Sequence, residues 1–180
     1  MNRRELAVAC FLSLTAAAPT RAQSADTVQM TALRGERATI ARYWLSATDQ
    51  IPDSLYGYRP VPEVRRIAEL VAHIIDAEFA VCAGLRGDPP RPPQFEKAAI
   101  TAKARLRPLL QQAMEYCAGA YATGTDRSLG DQVDFFGTPV VRQFAMTHDI
   151  AHMNEHYGNL VTYMRLLRMV PPSSRPATSE

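Results

Sequence analysis

Three of the four histidines in the chain, His148, His152 and His156, recur at every fourth position. A step of four residues turns only about 40° around an α-helix, so their rings rise along one stripe. The stretch is framed for a helix. Thr138-Pro139 suits an N-cap followed by proline in the first turn, and Val170-Pro171-Pro172 suits a stop, which predicts a helix from Thr138 to Arg168. Such a stripe must face solvent, a core or an ion, and each answer constrains what packs beside it.

Three further stretches carry helical periodicity. Val28, Leu33, Ile40, Trp44 and Leu45 mark the first, from Asp26 to about Ile51, with Asp26 and Gln29 spaced as a capping box. Val64, Ile67, Leu70, Val71, Ile74, Ile75 and Cys82 mark the second, with Pro62 and Glu63 suited to its first turn. Leu106, Leu109, Leu110, Ala113, Met114, Cys117 and Tyr121 mark the third, from about Gln94 to Ala122, which Pro108 should kink or interrupt. Residues 124–137 read as a loop with Phe135-Phe136 tucked against the bundle end. No useful length alternates with period two, so the expectation is an all-α four-helix bundle.

The N-terminus has a different build. Arg3 and Arg4, an apolar run from Leu6 to Ala18 and the small residues around Arg21 give residues 1–22 the layout of a secretory signal peptide. The run is too short for a permanent membrane span. Cleavage would take away three arginines and one glutamate, turning 20 basic and 18 acidic residues into 17 of each. That balance offers nothing to nucleic acid. The expected layout is a signal peptide (1–22), one bundle domain (23–170) and a mobile tail (171–180), exported and periplasmic, with no stable membrane insertion. Cys82 and Cys117 survive cleavage; they either pair, as an oxidising compartment allows, or pack as buried thiols.

His152 and His156, four apart, are placed to share one transition metal, and His73 on the second helix is the candidate third ligand. Ala77 and Ala80 lie on the same side of that helix and leave room for an ion and its water. Three neutral imidazoles leave a divalent ion its charge and an open position, which suits catalysis or substrate binding; zinc and nickel both fit. Asp149 and Asn159 project near His156 and His152 and are the candidates to orient a ligand or move a proton, with Asp76 behind them. His148 leads the stripe as a solvated histidine or a fourth ligand. His152 to His156 also spells the H-x-x-E-H signature, but Glu155 points about 100° from His156, which disfavours a peptidase base.

The chain resembles the DinB-like superfamily of metal-binding four-helix bundles. The resemblance rests on Ile51-Pro52, the run from Tyr58 to Arg65, Val71-Ala72-His73, the run from Ala151 to Leu160, Arg165, and Val170-Pro171-Pro172. It implies an up-down-down-up bundle and a divalent metal on His73, His152 and His156. Relatives include transferases that use low-molecular-weight thiols and a thiol-dependent isomerase, and bundles of this kind pair through helix faces into homodimers. Here His156-Tyr157-Gly158-Asn159 replaces the commoner His-Arg-Gly-Gln, which removes a cation from beside the metal. Two functions follow as expectations. One is a metal-dependent transferase or hydrolase acting on an unidentified small molecule, with Trp44, Tyr56 and Tyr58 as pocket candidates. The other is a non-catalytic metal-binding or envelope-stress module whose ion is structural.

Overall fold

Four helices and one short hairpin make up residues 27–175, the part described by the structure, a computed structural model. The predicted signal peptide and the last five residues lie outside it. Helix α1 spans Val28–Gln50, α2 Ile67–Arg86, α3 Lys103–Ala122 and α4 Arg142–Leu166. Strands β1 (Gln132–Phe135) and β2 (Thr138–Val141) lie between α3 and α4.

Side-chain pairs set the direction of each helix. Cys82 and Cys117, both near the C-terminal ends of α2 and α3, are joined by a disulfide, so those two helices run parallel. Arg34 near the start of α1 bonds Tyr121 O at the end of α3, while Asp49 at its end meets Arg107 at the start of α3, so α1 is antiparallel to α3. Trp44 Nε1 donates to Met153 O and Gln50 to Val170 O, which sets α4 parallel to α1. The bundle is therefore up-down-down-up, with α1 and α4 each packed on the α2–α3 pair or its neighbour. Among the described residues, no helix is long and apolar enough to cross a membrane.

The helix boundaries depart from the sequence reading in informative ways. The second helix begins at Ile67 rather than near Pro62; Glu69 reaches back to the Arg66 N–H at 2.8 Å and fixes the start there. The third begins at Lys103, because Asp76 holds the backbone N–H groups of Gln94, Phe95 and Glu96 at 2.9–3.1 Å and keeps that segment irregular. Pro108 does not interrupt α3; it forfeits one N–H within a helix otherwise held by packing. Asp26 lies outside the described residues, and the first turn of α1 is capped by Asp126 instead, which accepts from Gln29 and Met30 N–H at 3.0 and 2.8 Å.

The largest correction is the hairpin. Thr138-Pro139 opens β2, not α4, and pairs antiparallel with β1 in the register Phe135↔Thr138 and Asp134↔Pro139. Phe136 (φ 53°) and Gly137 (φ 84°) form the two-residue turn, both in the left-handed region that such hairpin turns require. The hairpin lies hard against α2: a Cβ at Gly84 would collide with the Asp134 carbonyl oxygen. Arg142 Nη1 adds a 2.8 Å bond to Leu85 O, so the N-terminus of α4 and the hairpin dock together on the end of α2. At the other end of α4, residues 172–174 make a 3-10 turn, with Ser173 bonded to the Tyr157 hydroxyl at 3.2 Å.

Candidate metal centre

His73 on α2 meets His152 and His156 on the antiparallel α4. His152 Nε2 lies 3.2 Å from His73 Nε2 and 3.0 Å from His156 Nε2. One ring nitrogen from each of the three falls within 4.8 Å of the others. His156 is buried, and His73 and His152 are half-buried.

Three imidazole nitrogens converging in this way cannot satisfy one another, since one proton on the shared His152 Nε2 serves only one of its neighbours. A divalent ion serves all three. Nitrogens bound tetrahedrally at 2.0–2.1 Å are about 3.3–3.4 Å apart, close to the spacing found here. The protonation states agree. Burial first, then the neighbouring imidazoles His156 and His73, depress His152 to about 4, and burial and His73 lower His156. Both rings are thus neutral near pH 7 and offer lone pairs. The donor set and its spacing fit a divalent metal.

The outer contacts hold the rings in the right tautomer. His73 Nδ1 donates to Glu96 Oε2 at 3.1 Å, which leaves Nε2 free in the neutral ring. Glu96 accepts from Arg65 Nε at 2.8 Å through its other oxygen. Burial opposes ionisation of Glu96, but the hydrogen bonds from Arg65 and His73 outweigh it and hold the carboxyl below its usual range. Asp76 in turn anchors the Glu96 backbone N–H at 2.9 Å, so its contribution reaches His73 through Glu96. Asn159 Nδ2 lies 3.4 Å from His156 Nδ1, on the side of that ring away from His152.

Glu96 escaped sequence reading, because it sits in a connecting segment with no periodicity and 23 residues from its partner. Asp149 goes the other way. It is seven residues from His156 and so shares its direction on α4, but about 10 Å of helix rise separates them. Its carboxylate is occupied by the Tyr121 hydroxyl at 2.8 Å and by Arg37 Nε at 3.2 Å, and no hydrogen bond or ion pair joins it to the three histidines. Glu155 is exposed and forms no hydrogen bond or ion pair among the described residues. Trp44 and Tyr56 are core residues, bonded to Met153 O and Thr48 O, and Tyr58 packs on Tyr163. His148 is exposed; its ring lies parallel to that of His152 with centroids 6.0 Å apart and edge-on to Phe135.

Asp149 belongs to a separate buried cluster with one member or more from every helix: Arg37, Glu78, Tyr121 and Asp149, against the Cys82–Cys117 bond. Arg37 pairs closely with Glu78 and is shared with Asp149. Burial would lower the guanidinium, but the two carboxylates prevail and raise it. Burial pushes the Glu78 carboxyl well above the usual carboxylate range, against the pull of Arg37 and with the help of the neighbouring Asp149. Cys82, Cys117 and Asp149 would make a second metal-like grouping, but the disulfide consumes both thiols.

Beside the triad opens a cavity of about 170 Å³, bounded by α2 on one side and by the hairpin tip and α4 on the other. His73, His152, His148, Ala77, Ala80 and Phe136 are among its walls.

The DinB superfamily model matches residues 37–160, more than two thirds of the chain, and the chain belongs to that superfamily. Two solved structures share the fold. A DinB-like protein of Bacillus cereus superposes with TM-score 0.63 at 19% identity, over 74% of this chain and 89% of that one. The DinB-like protein YjoA of Bacillus subtilis gives TM-score 0.63 at 18% identity, over 81% and 99%. No curated protein matches this chain.

Proposed function

We propose that this DinB-superfamily protein is a metal-dependent enzyme, a transferase or hydrolase, whose ion is held by His73, His152 and His156. The observation that carries the reading is the convergence of the three Nε2 atoms beside a cavity whose wall includes two of the rings, His73 and His152, with His156 buried behind them. A divalent ion there, zinc or nickel, supplies a Lewis acid that lowers the pKa of a thiol or water brought to it. The chain does the rest. Glu96 Oε2 holds the proton on His73 Nδ1 and keeps that ring oriented. Asn159 steadies His156, and the apolar wall of Ala77, Ala80 and Phe136 limits water. His148, at the wall and without a hydrogen-bond partner, is the side chain available to carry a proton.

A structural ion would want a saturated sphere, with Asp149 or His148 as fourth ligand. Asp149 is committed to Arg37 and Tyr121, and His148 stands outside the group of converging nitrogens with its ring 6.0 Å from that of His152, which favours the open, catalytic reading. Export completes the proposal: residues 1–22 direct the chain to an oxidising compartment, in keeping with the Cys82–Cys117 bond, and the mature bundle works there as a soluble protein, with homodimerisation through a helix face.

The test is a screen of thiol-transfer and hydrolytic substrates with the metal-loaded protein. Turnover that disappears in His152→Ala, with the helical circular dichroism unchanged, supports the enzyme. A screen without metal-dependent turnover favours the non-catalytic module.

A further inference from the structure

We propose that the cavity beside the triad takes a small uncharged ligand, with an apolar body of about benzene's size and a single polar end turned to the histidines. This rests on the metal site proposed above and specifies what that site accepts.

Size comes first. The cavity holds about 170 Å³, and cavities of about 150 Å³ lined by aliphatic and aromatic side chains take up benzene. The walls are the second argument. Away from the histidines and the carboxylates of Asp76 and Glu96, they are Ala77, Ala80, Val81, Pro93 and Phe136, all apolar.

Charge is the third. No lysine or arginine lines the cavity. The nearest guanidinium along the hydrogen-bond chain, Arg65, is spent on Glu96. Both carboxylates at the wall are spent as well: Asp76 on three backbone N–H groups, Glu96 on Arg65 and His73. The cavity is half open, with Phe136 and His148 exposed at its rim; a charged body seated against its apolar walls would lose part of its water and find neither a cation nor a free acid there. Only His148 is left without a hydrogen-bond partner, enough for one polar group and no more. Apolar walls with one or two convergent polar groups are the pattern of a selective small-molecule site.

Ala80 gates this selectivity. It is half-buried on α2, lines the cavity and has no part in holding the triad, so a leucine there fills the space from the wall. The test uses the full chain loaded with cobalt(II), whose visible spectrum reports ligation. Two probes of the same shape are titrated: 4-methylpentanohydroxamate, with an isopropyl end, and succinate monohydroxamate, with a carboxylate end. The inference predicts that the neutral probe binds at least tenfold more tightly. It also predicts that Ala80→Leu weakens the neutral probe tenfold or more while taking up cobalt as the wild type does. Equal binding of the two probes, or preference for the charged one, or an unaltered Ala80→Leu, overturns this inference and leaves the metal site standing. Failure of the wild type to take up cobalt overturns both.

Discussion

Glu96 Oε2 accepts a hydrogen bond from His73 Nδ1 at 3.1 Å, across 23 residues and the end of a helix. The carboxylate is itself fixed from two sides, by Arg65 Nε and by the turn that Asp76 anchors. Outer partners of this kind set the tautomer and orientation of a metal-binding ring, and their loss typically costs 10–100-fold in affinity. Glu96→Ala is therefore expected to weaken metal binding about 10–100-fold while α2 and α4 stay folded. Competition with a chromophoric chelator measures it; wild-type affinity in the variant would show that His73 needs no such support.

The metal-free protein should lose stability toward acid through this same site. His152 has a folded-state pKa of about 4 against an ordinary 6.5. Between those values the unfolded chain takes up a proton that the folded chain refuses, so the contribution is whole above about pH 6.5 and is lost as pH falls to about 4. His152→Gln removes that uptake. Melting temperatures of the two chelator-treated proteins, followed from neutral pH to pH 4, should fall more steeply for the wild type. Parallel curves would contradict the depressed imidazole.

Arg37 and Glu78 are ion-pair partners, yet their replacements are expected to differ sharply in cost. Arg37→Ala leaves the Asp149 carboxylate buried without its cation, a loss of about 3–5 kcal/mol. Burial pushes the Glu78 carboxyl well above its usual range, so Glu78→Gln, which keeps the shape and removes the charge that burial disfavours, should cost about 1 kcal/mol or less. Urea denaturation of both variants decides it, and a Glu78→Gln loss as large as that of Arg37→Ala would mean that Glu78 is ionised.

Gly84 is the contact point between α2 and the hairpin. Gly84→Ala forces a methyl group onto the Asp134 carbonyl, and relief requires the hairpin to move from α2. Overpacking of this kind costs about 1–3 kcal/mol. Faster amide exchange at Val133 and Phe135 should accompany it, because both sit on the strand that is pushed away. Unchanged exchange there would show that the helix end, not the hairpin, yields.

Much of this was legible in the sequence because helical periodicity is a long signal. The stripe through His152 and His156 and the placing of Ala77 and Ala80 on the His73 side of the second helix follow from 3.6 residues per turn, and the structure brings them together. The hairpin was not legible, since its strands are four residues each and its turn begins with Phe136 where Asn or Asp would advertise the left-handed conformation. Glu96 and Asp126 were hidden for another reason. Both are loop carboxylates acting on partners 23 and 97 residues away, and no local pattern encodes a contact of that span. Asp149 shows the limit of direction alone: angle around a helix placed it with His156, while rise along the axis sends it to Arg37 and Tyr121.

One divalent ion on His73, His152 and His156 underlies every step proposed for this protein, and elemental analysis of the protein purified without an affinity tag, beside His73→Ala and His152→Ala, tests for it. About one equivalent of zinc or nickel is expected in the wild type, with its loss in both variants. A folded wild type that holds no metal, even after soaking with both ions, would contradict it and return the three histidines to packing between helices.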